Sequence, residues 1–277
     1  MGLILDILFW LVVVTVAATV LTFSFSWYEA ANANPSLMDG RFHPRSLFFA
    51  FRLIASQACA ILWSLLLRPA GWFMGRGNSP VRNDQTPIVL LHGLFENQGC
   101  LLPLKRRLQL AGFLNIHSIS LPSWHNAEYL TERVAKKVDE LRHATGLSRV
   151  HLIGHSMGGI LARNFIQIRG GEKKVASCVL IGVPNEGSRL APFALSPLGR
   201  LLIPESEFLR RLAESPLPPQ IPMISIYSRH DNFVQPAANA HLAGAVNVEL
   251  RGLGHTSLLY SSEVHNEVIS FLRRLSP

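Results

Sequence analysis

The chain has 277 residues, of which 48% are hydrophobic and 16% are charged. An average soluble domain has about 25% charged residues, and the low value here excludes a disordered or collagen-like chain. The three cysteines are scattered, so they predict neither a disulfide framework nor a zinc ribbon. The formal net charge of +8 is spread without a basic tail or a nucleic-acid-binding motif. We therefore expect no nucleic-acid partner and favour attraction to an anionic membrane surface.

The first segment of the chain is long and apolar enough to cross a bilayer, which takes about 20 residues. Residues 7–28 carry no charge, and Trp27 and Tyr28 end the run as aromatic residues do at a membrane interface. We predict a retained transmembrane helix over about 3–28 that anchors the protein in a membrane. The alternative is a secreted protein whose signal peptide is cleaved near Ala33, where the sequence reads Ala-Asn-Ala.

A second apolar segment covers about 46–67 and contains Arg52. Its length predicts a second span or a helix lying on the membrane, and the alternative is a helix packed on a soluble domain. Residues 68–86 are rich in Gly, Pro, Asn and Arg, which predicts a linker. We therefore divide the chain into a membrane anchor region, 1–86, and a second domain, 87–277.

From residue 87 onward, short apolar runs alternate with amphipathic helical patterns. The predicted strands are 88–91, 116–121, 150–153, 175–181, 223–227 and 246–250, and the main predicted helices are 98–111, 127–145, 158–168 and 261–275. This alternation is typical of an α/β fold with a mostly parallel sheet and helices on both faces. Residues 187–222 interrupt it with seven of the 17 prolines, and we expect either a cap over a site or a long surface connection.

Residues 154–158 read Gly-His-Ser-Met-Gly, which fits the pattern G-x-S-x-G between a predicted strand and a predicted helix. A serine in such a sharp turn projects its oxygen above the sheet. Larger side chains at Gly154 and Gly158 would clash with neighbouring backbone. The following helix N-terminus favours developing negative charge. The pattern therefore predicts Ser156 as a nucleophile.

A serine hydroxyl is a weak nucleophile without a general base. Among the histidines that follow Ser156, His255 lies in a predicted loop after the last strand, where ligands gather in open α/β sheets. The acid that orients the base is expected between the two in sequence. Asp231 directly follows a predicted strand and is our choice, and Glu186 is its one serious rival.

An oxyanion needs two backbone N–H donors. We predict the donor after the nucleophile, Met157, and a second donor, Leu94, in the loop after the first strand of the domain. His92 and His155 are interpreted as structural residues. No clustered set of His, Cys and Asp indicates a metal ion, and we expect neither a metal nor a cofactor.

These motifs together resemble the α/β-hydrolase superfamily, and within it small bacterial lipases and esterases of the minimal Bacillus lipase A type. The likeness rests on residues 89–94 (VLLHGL), 154–159 (GHSMGG), 225–228 (SIYS) ahead of Asp231, and 252–262 (GLGHTSLLYSS). It covers about residues 87–277, which the resemblance implies are an α/β-hydrolase catalytic domain, and it implies that the anchor lies in the bacterial inner membrane. The resemblance implies the α/β-hydrolase fold and the same five site residues: Ser156, Asp231 and His255 as the triad, with Leu94 and Met157 at the oxyanion.

The resemblance implies a serine hydrolase that cleaves lipid or other acyl esters through an acyl-enzyme. An acyltransferase or thioesterase on the same fold is an alternative, and a non-catalytic lipid-binding or scaffold protein of the membrane is an alternative of another class. Members of the minimal type are secreted and nearly lidless, whereas this chain has an apparent anchor and the insert 187–222. We expect an acyl ester and the bilayer as partners, and the sequence makes no prediction of the oligomeric state.

Overall fold

Two long helices precede alternating strands and helices in a computed structural model that describes residues 2–73 and 82–275. The helices are α1 (Gly2–Ala33), α2 (Pro44–Phe73), α3 (Leu102–Leu110), α4 (Ala127–Thr145), α5 (Met157–Gln167), α6 (Pro197–Leu201), α7 (Glu207–Glu214), α8 (His255–Tyr260) and α9 (Ser262–Leu275). The strands are β1 (Ile88–Leu91), β2 (Ile116–Ile119), β3 (Val150–His155), β4 (Val175–Ile181), β5 (Met223–Ser228) and β6 (Val246–Leu250).

The strands form one parallel sheet in the order β2-β1-β3-β4-β5-β6. The central strands are buried on both faces, which explains their continuous apolar sequences. Helices α4 and α5 contribute to the core on one face, and α3 and α9 contribute to the core on the other. The predicted α/β-hydrolase architecture is confirmed. The strand order reverses between β1 and β3, and ligands bind at such a point in open α/β sheets.

The structure differs from the predicted elements at one position that matters for the site. His255 was predicted in a loop, but it is the first residue of α8. The glycines Gly252 and Gly254 before it indicate a turn in the sequence, and only Gly252 has a positive φ, of 73°. The turn is therefore shorter than predicted, and a helix begins directly after it.

The two N-terminal helices are longer than predicted, and α2 extends into the predicted linker as far as Phe73. The glycine that reads as a helix breaker, Gly71, instead allows close packing: a Cβ there would lie 2.4 Å from Asn97 Oδ1. The predicted linker is thus helical in its first part, and residues 74–81 of it lie outside the described residues.

Helix α1 buries mainly polar residues and exposes apolar ones, which is the opposite of the pattern expected for a helix in water. Three of its four buried residues are polar, namely Thr15, Thr19 and Ser26, whereas its large apolar side chains from Leu3 to Val14 are exposed. A helix on the surface of a water-soluble protein buries its apolar face instead. Both α1 and α2 are long and apolar enough to cross a membrane. Their outer surfaces are therefore suited to lipid.

A buried glutamine fixes α2 to α8. Gln57 is fully buried, and its Oε1 accepts hydrogen bonds from the backbone N–H and the hydroxyl of Ser257, each at 3.0 Å. Its Nε2 donates to Thr256 Oγ1 at 3.2 Å. All three contacts are made within the first turn of the helix that begins at His255. The second N-terminal helix is therefore attached to the α/β domain by specific polar contacts.

Replacing Gln57 by Leu should destabilise the protein, because it leaves two buried groups of Ser257 without a partner. Each unsatisfied buried group costs about 1–3 kcal/mol, so for the full-length protein in detergent we expect a fall in Tm of about 4 °C or more, up to about 20 °C. Ser56→Ala is the matched control, since among the described residues the Ser56 hydroxyl bonds to Leu53 O of its own helix and to no other group. A Gln57→Leu protein as stable as the control would show that these contacts do not fix α2.

Candidate active site

Ser156 lies at a sharp turn between β3 and α5. Its φ is 52° and its ψ is −124°, a conformation that a residue with a side chain rarely adopts. A Cβ on Gly154 would lie 2.4 Å from Gly159 N, and one on Gly158 would lie 2.5 Å from Leu91 O. The steric requirement for both glycines is therefore met as the sequence pattern predicts.

His255 and Asp231 form a hydrogen-bonded pair. Asp231 follows β5, and its Oδ2 lies 2.8 Å from His255 Nδ1. The other carboxylate oxygen accepts the N–H groups of Phe233 and Val234, each at 2.8 Å. Both carboxylate oxygens of this buried side chain thus have partners, which fixes the orientation of the imidazole.

The rival acid, Glu186, lies apart from this pair. It is exposed and lines a second cavity together with Arg163, on a part of the surface that does not contain Ser156. The structure therefore brings Asp231, and not Glu186, to His255.

The environment of His255 favours its protonated form. Burial lowers the pKa of His255, but the charge and hydrogen bond of Asp231, together with the charge of Glu96, outweigh it and raise the pKa above its usual value. In the described ranges, Ser156 Oγ makes no hydrogen bond to His255. Such bonds are often long before substrate binds.

Three residues that sequence reasoning missed connect the triad loops to α1 and α2. One is Gln57, described above. The others are Asn232 and Thr22: Asn232 Oδ1 accepts the N–H of His255 at 3.1 Å, and Asn232 Nδ2 donates to Thr22 Oγ1 at 2.8 Å. Polar residues in an apolar helix were the available signal, since Thr15, Thr19, Thr22 and Ser26 follow helical spacing along one side of α1.

A second acid–histidine pair lies beside the nucleophile and was also missed. Glu96 Oε2 is 3.1 Å from His155 Nδ1 and accepts the N–H of Gly93 at 3.0 Å. Burial alone would raise the pKa of Glu96, but the proximity and hydrogen bond of His155 lower it to about 2. The His155 ring lies 5.0 Å from that of His255. Glu96 thus ties the loop after β1 to the turn at Ser156.

Both predicted oxyanion donors border the nucleophile. Met157 is the first residue of α5, so its N–H has no acceptor within the helix. Leu94 lines the same cavity as Ser156. The N–H groups on either side of Leu94 are engaged, that of Gly93 by Glu96 and that of Phe95 by Ser123 Oγ at 2.7 Å. The role of Leu94 and Met157 stays a prediction.

Ser156 and His255 line one cavity of about 500 Å³, the active-site cavity. The loop at residues 93–96 forms one side, residues 188–202 form another, and α1 and α2 form a third. The insert residues that line the cavity fall in the first part of 187–222. Both parts of the insert also contribute to the core, the first through Leu198 and Leu202 and the second through Leu209 and Leu212 of α7. A cap formed by this insert stays a prediction.

Two acid–histidine pairs lie at the cavity, which Arg68 also lines. His255 is paired with Asp231, and His155 is paired with Glu96. Within residues 2–73 and 82–275, no three His, Cys, Asp or Glu side chains are grouped as ligands for a metal ion. What the arrangement offers is a serine at a helix N-terminus, with an oriented histidine lining the same cavity.

Comparisons with known proteins agree with this architecture. A family model described as the alpha/beta hydrolase fold matches residues 86–198. The triacylglycerol lipase of Burkholderia plantarii is 29% identical over 158 residues, which cover 49% of this chain and 42% of that protein. The triacylglycerol lipase of Pseudomonas fragi is 31% identical over 114 residues, covering 39% and 38% respectively. The chain thus spans less than half the length of these curated relatives.

A solved structure extends the likeness to the fold as a whole. The mature form of Bacillus licheniformis lipase BlEst2 is similar with a TM-score of 0.61 and 17% identity, over 73% of this chain and 95% of that one. At this identity the likeness shows the fold alone. The parallel sheet, the serine turn and these matches together show the α/β-hydrolase fold, and part of the chain is similar in sequence to two bacterial triacylglycerol lipases.

Proposed function

We propose that the protein is a membrane-attached serine ester hydrolase that cleaves acyl esters of lipids. The observation that carries the proposal is the Asp231–His255 pair, joined at 2.8 Å, in the same apolar cavity as the strained Ser156. The similarity of the chain to two triacylglycerol lipases supports an ester as the substrate. The same residues are the ones that the sequence motifs predict.

The proposed reaction proceeds through an acyl-enzyme. Ser156 Oγ attacks the ester carbonyl carbon while His255 Nε2 accepts the hydroxyl proton. Asp231 holds the other ring proton on Nδ1 and stabilises the imidazolium. The oxyanion is bound by the N–H groups of Leu94 and Met157. His255 then protonates the leaving alcohol. A water molecule, deprotonated by His255, releases the acid and restores Ser156.

Ser156→Ala and His255→Ala should each lower kcat at least about 10³-fold, because members of a triad act as a unit. The measurement is hydrolysis of a soluble acetyl ester by the full-length protein in detergent. Labelling by an alkyl phosphonate should disappear in Ser156→Ala. Normal turnover by that variant would end the proposal.

The identity of the acid that orients His255 is tested by replacing each of the two candidate carboxylates with its amide. Asp231→Asn should lose most activity because His255 is then held in the wrong tautomer, a change worth about 10⁴-fold in a serine protease. Glu186→Gln should keep activity within about twofold, because its carboxylate is exposed and borders another cavity. The opposite ranking would assign the role to Glu186.

The raised pKa of His255 gives the pH dependence a definite direction. The base must be neutral to accept a proton, so activity falls as the pH drops through its pKa. We expect the acid limb of kcat/KM to have its midpoint above about 6.5, the ordinary histidine value. Glu96→Gln removes a charge that raises this pKa and should shift the limb to lower pH. Glu186→Gln is the control, and an upward or absent shift in Glu96→Gln would contradict the assignment.

The polarity of α1 supports membrane attachment by a retained helix. Its apolar side chains face outward, and its polar side chains contact the triad loops through Thr22 and through Ser26, whose hydroxyl lies 3.5 Å from Asp231 O. Near its end, Glu29 forms an ion pair with Arg189. Cleavage near Ala33 would remove all of these partners. We therefore favour the anchor over a signal peptide.

The full-length protein should remain with membranes after high-salt and carbonate washes and should require detergent for release. An apolar helix of this length anchors a protein in a way that salt does not reverse, whereas adsorption by the net charge would be screened. The mature N-terminus should be determined on the same sample. A soluble, secreted protein beginning at Asn34 would show that α1 is a signal peptide.

A further inference from the structure

The helices α1 and α2 do more than carry the domain, because they form one side of the active-site cavity. Thr22 of α1 and four residues of α2 line it: Ile61, Ser64, Leu65 and Arg68. This side is fixed in place by the buried Gln57 and by the Thr22–Asn232 hydrogen bond. The N-terminal region therefore contributes one wall of the cavity, in which Ile61 and Leu65 are the apolar residues and Thr22, Ser64 and Arg68 the polar ones.

The first part of the insert contributes a more apolar side of the cavity. Its lining residues include Leu190, Ala191, Phe193 and Leu202. This apolar character continues to the outer surface, since Phe193 is 73% exposed and its neighbour in sequence, Leu195, is 83% exposed. An apolar group bound between this segment and α2 lies in the cavity that Ser156 lines.

Cavity-lining residues and outward-facing residues alternate within one turn of α2. Leu65 lines the cavity, whereas the next residue, Leu66, points outward and is 66% exposed. Trp63 and Trp72 are exposed on α2 as well. Contiguous exposed apolar surface of this kind marks contact with a membrane or a partner. The apolar lining of the cavity thus continues into an apolar outer surface.

We propose that α1 and α2 are the acyl-binding wall of the active site, and that the substrate is a long-chain ester of a lipid that enters from the bilayer around these helices. The inference rests on the proposed ester hydrolysis and adds the class of substrate and its route. The acyl chain lies between Leu65 of α2 and the segment at Leu190, and the ester carbonyl lies at Ser156. A lipid that follows this route keeps its chain in apolar surroundings throughout.

A pair of tryptophan substitutions on adjacent residues tests the wall. The full-length variants Leu65→Trp and Leu66→Trp are assayed in detergent with a palmitoyl and an acetyl ester of p-nitrophenol. For Leu65→Trp the ratio of kcat/KM, palmitoyl over acetyl, should fall at least about tenfold, since added bulk in a binding cavity penalises the group that fills it. For Leu66→Trp, which points away from the cavity, the ratio should stay within about twofold.

An unchanged ratio in Leu65→Trp, or an equal fall in both variants, would overturn the wall. If Leu65→Trp does not fold, Leu65→Ala is used instead, and the lost contacts should lower the same ratio by about tenfold. Ser156→Ala separates the two levels of the argument. Ester hydrolysis that persists without Ser156 refutes the proposed function, whereas Ser156-dependent hydrolysis with an unchanged ratio refutes only the wall.

The route is tested at the rim with the protein reconstituted into phosphatidylcholine vesicles that carry a long-chain diacylglycerol. Phe193→Asp places a charge on an exposed residue that lines the cavity, and Leu110→Asp places one on an apolar surface residue of α3; both side chains are 73% exposed. Relative to the rate in detergent, the rate in vesicles should fall at least about fivefold for Phe193→Asp and should be unchanged for Leu110→Asp. Equal ratios for the two variants would show that the lipid does not enter there.

Discussion

The active site depends on the close approach of three backbone segments around Ser156. The positive φ of this residue is maintained because β3 leads directly into α5 and β1 lies alongside. Both glycines that flank the turn are in contact distance of main-chain atoms, so no side chain fits at either position. The nucleophile is thereby placed at a helix N-terminus, above the carboxyl end of the sheet. Every other group in the site is positioned relative to this turn.

Two buried acid–histidine pairs surround the nucleophile, and they come from opposite sides of the strand-order reversal. Asp231, after β5, orients His255, whereas Glu96, after β1, binds His155 in the turn itself. The two imidazole rings are 5.0 Å apart. Because both carboxylates act on the same small volume, the charge of Glu96 also contributes to the raised pKa of His255. The second pair is thus an electrostatic neighbour of the first.

The fold could be predicted from the sequence for local reasons, and so could the proximity of Asp231 to His255. Ser156, Asp231 and His255 each follow a strand with a distinct apolar pattern, and parallel strands end at one edge. The contacts of Gln57 and Thr22 could not be predicted, because their partners lie about 200 positions away, at Ser257 and Asn232. Glu96 was missed for a similar reason, since nothing near it in sequence indicates His155.

The C-terminal end of α2 could not be predicted from the sequence either. Gly71 looks like a break when only propensity is considered, and its close packing on Asn97 is a tertiary contact. The polar residues of α1 were a usable signal that an anchor interpretation overlooks. A helix that only spans lipid has no need of hydroxyl groups at regular spacing, so Thr15, Thr19, Thr22 and Ser26 indicate a helix that also contacts protein.

The polar contacts of the N-terminal helices have a consequence for biosynthesis. Helices α1 and α2 precede the loops that contain Asp231 and His255, so they leave the ribosome before those loops do. Until the helices and the α/β domain dock, Asn232 Nδ2 and the N–H of Ser257 lack the partners that they have in the folded chain. The cavity that Ser156 and His255 line is then open on the side that α1 and α2 form. The last part of the chain to be synthesised thus completes the cavity by docking onto its N-terminal part.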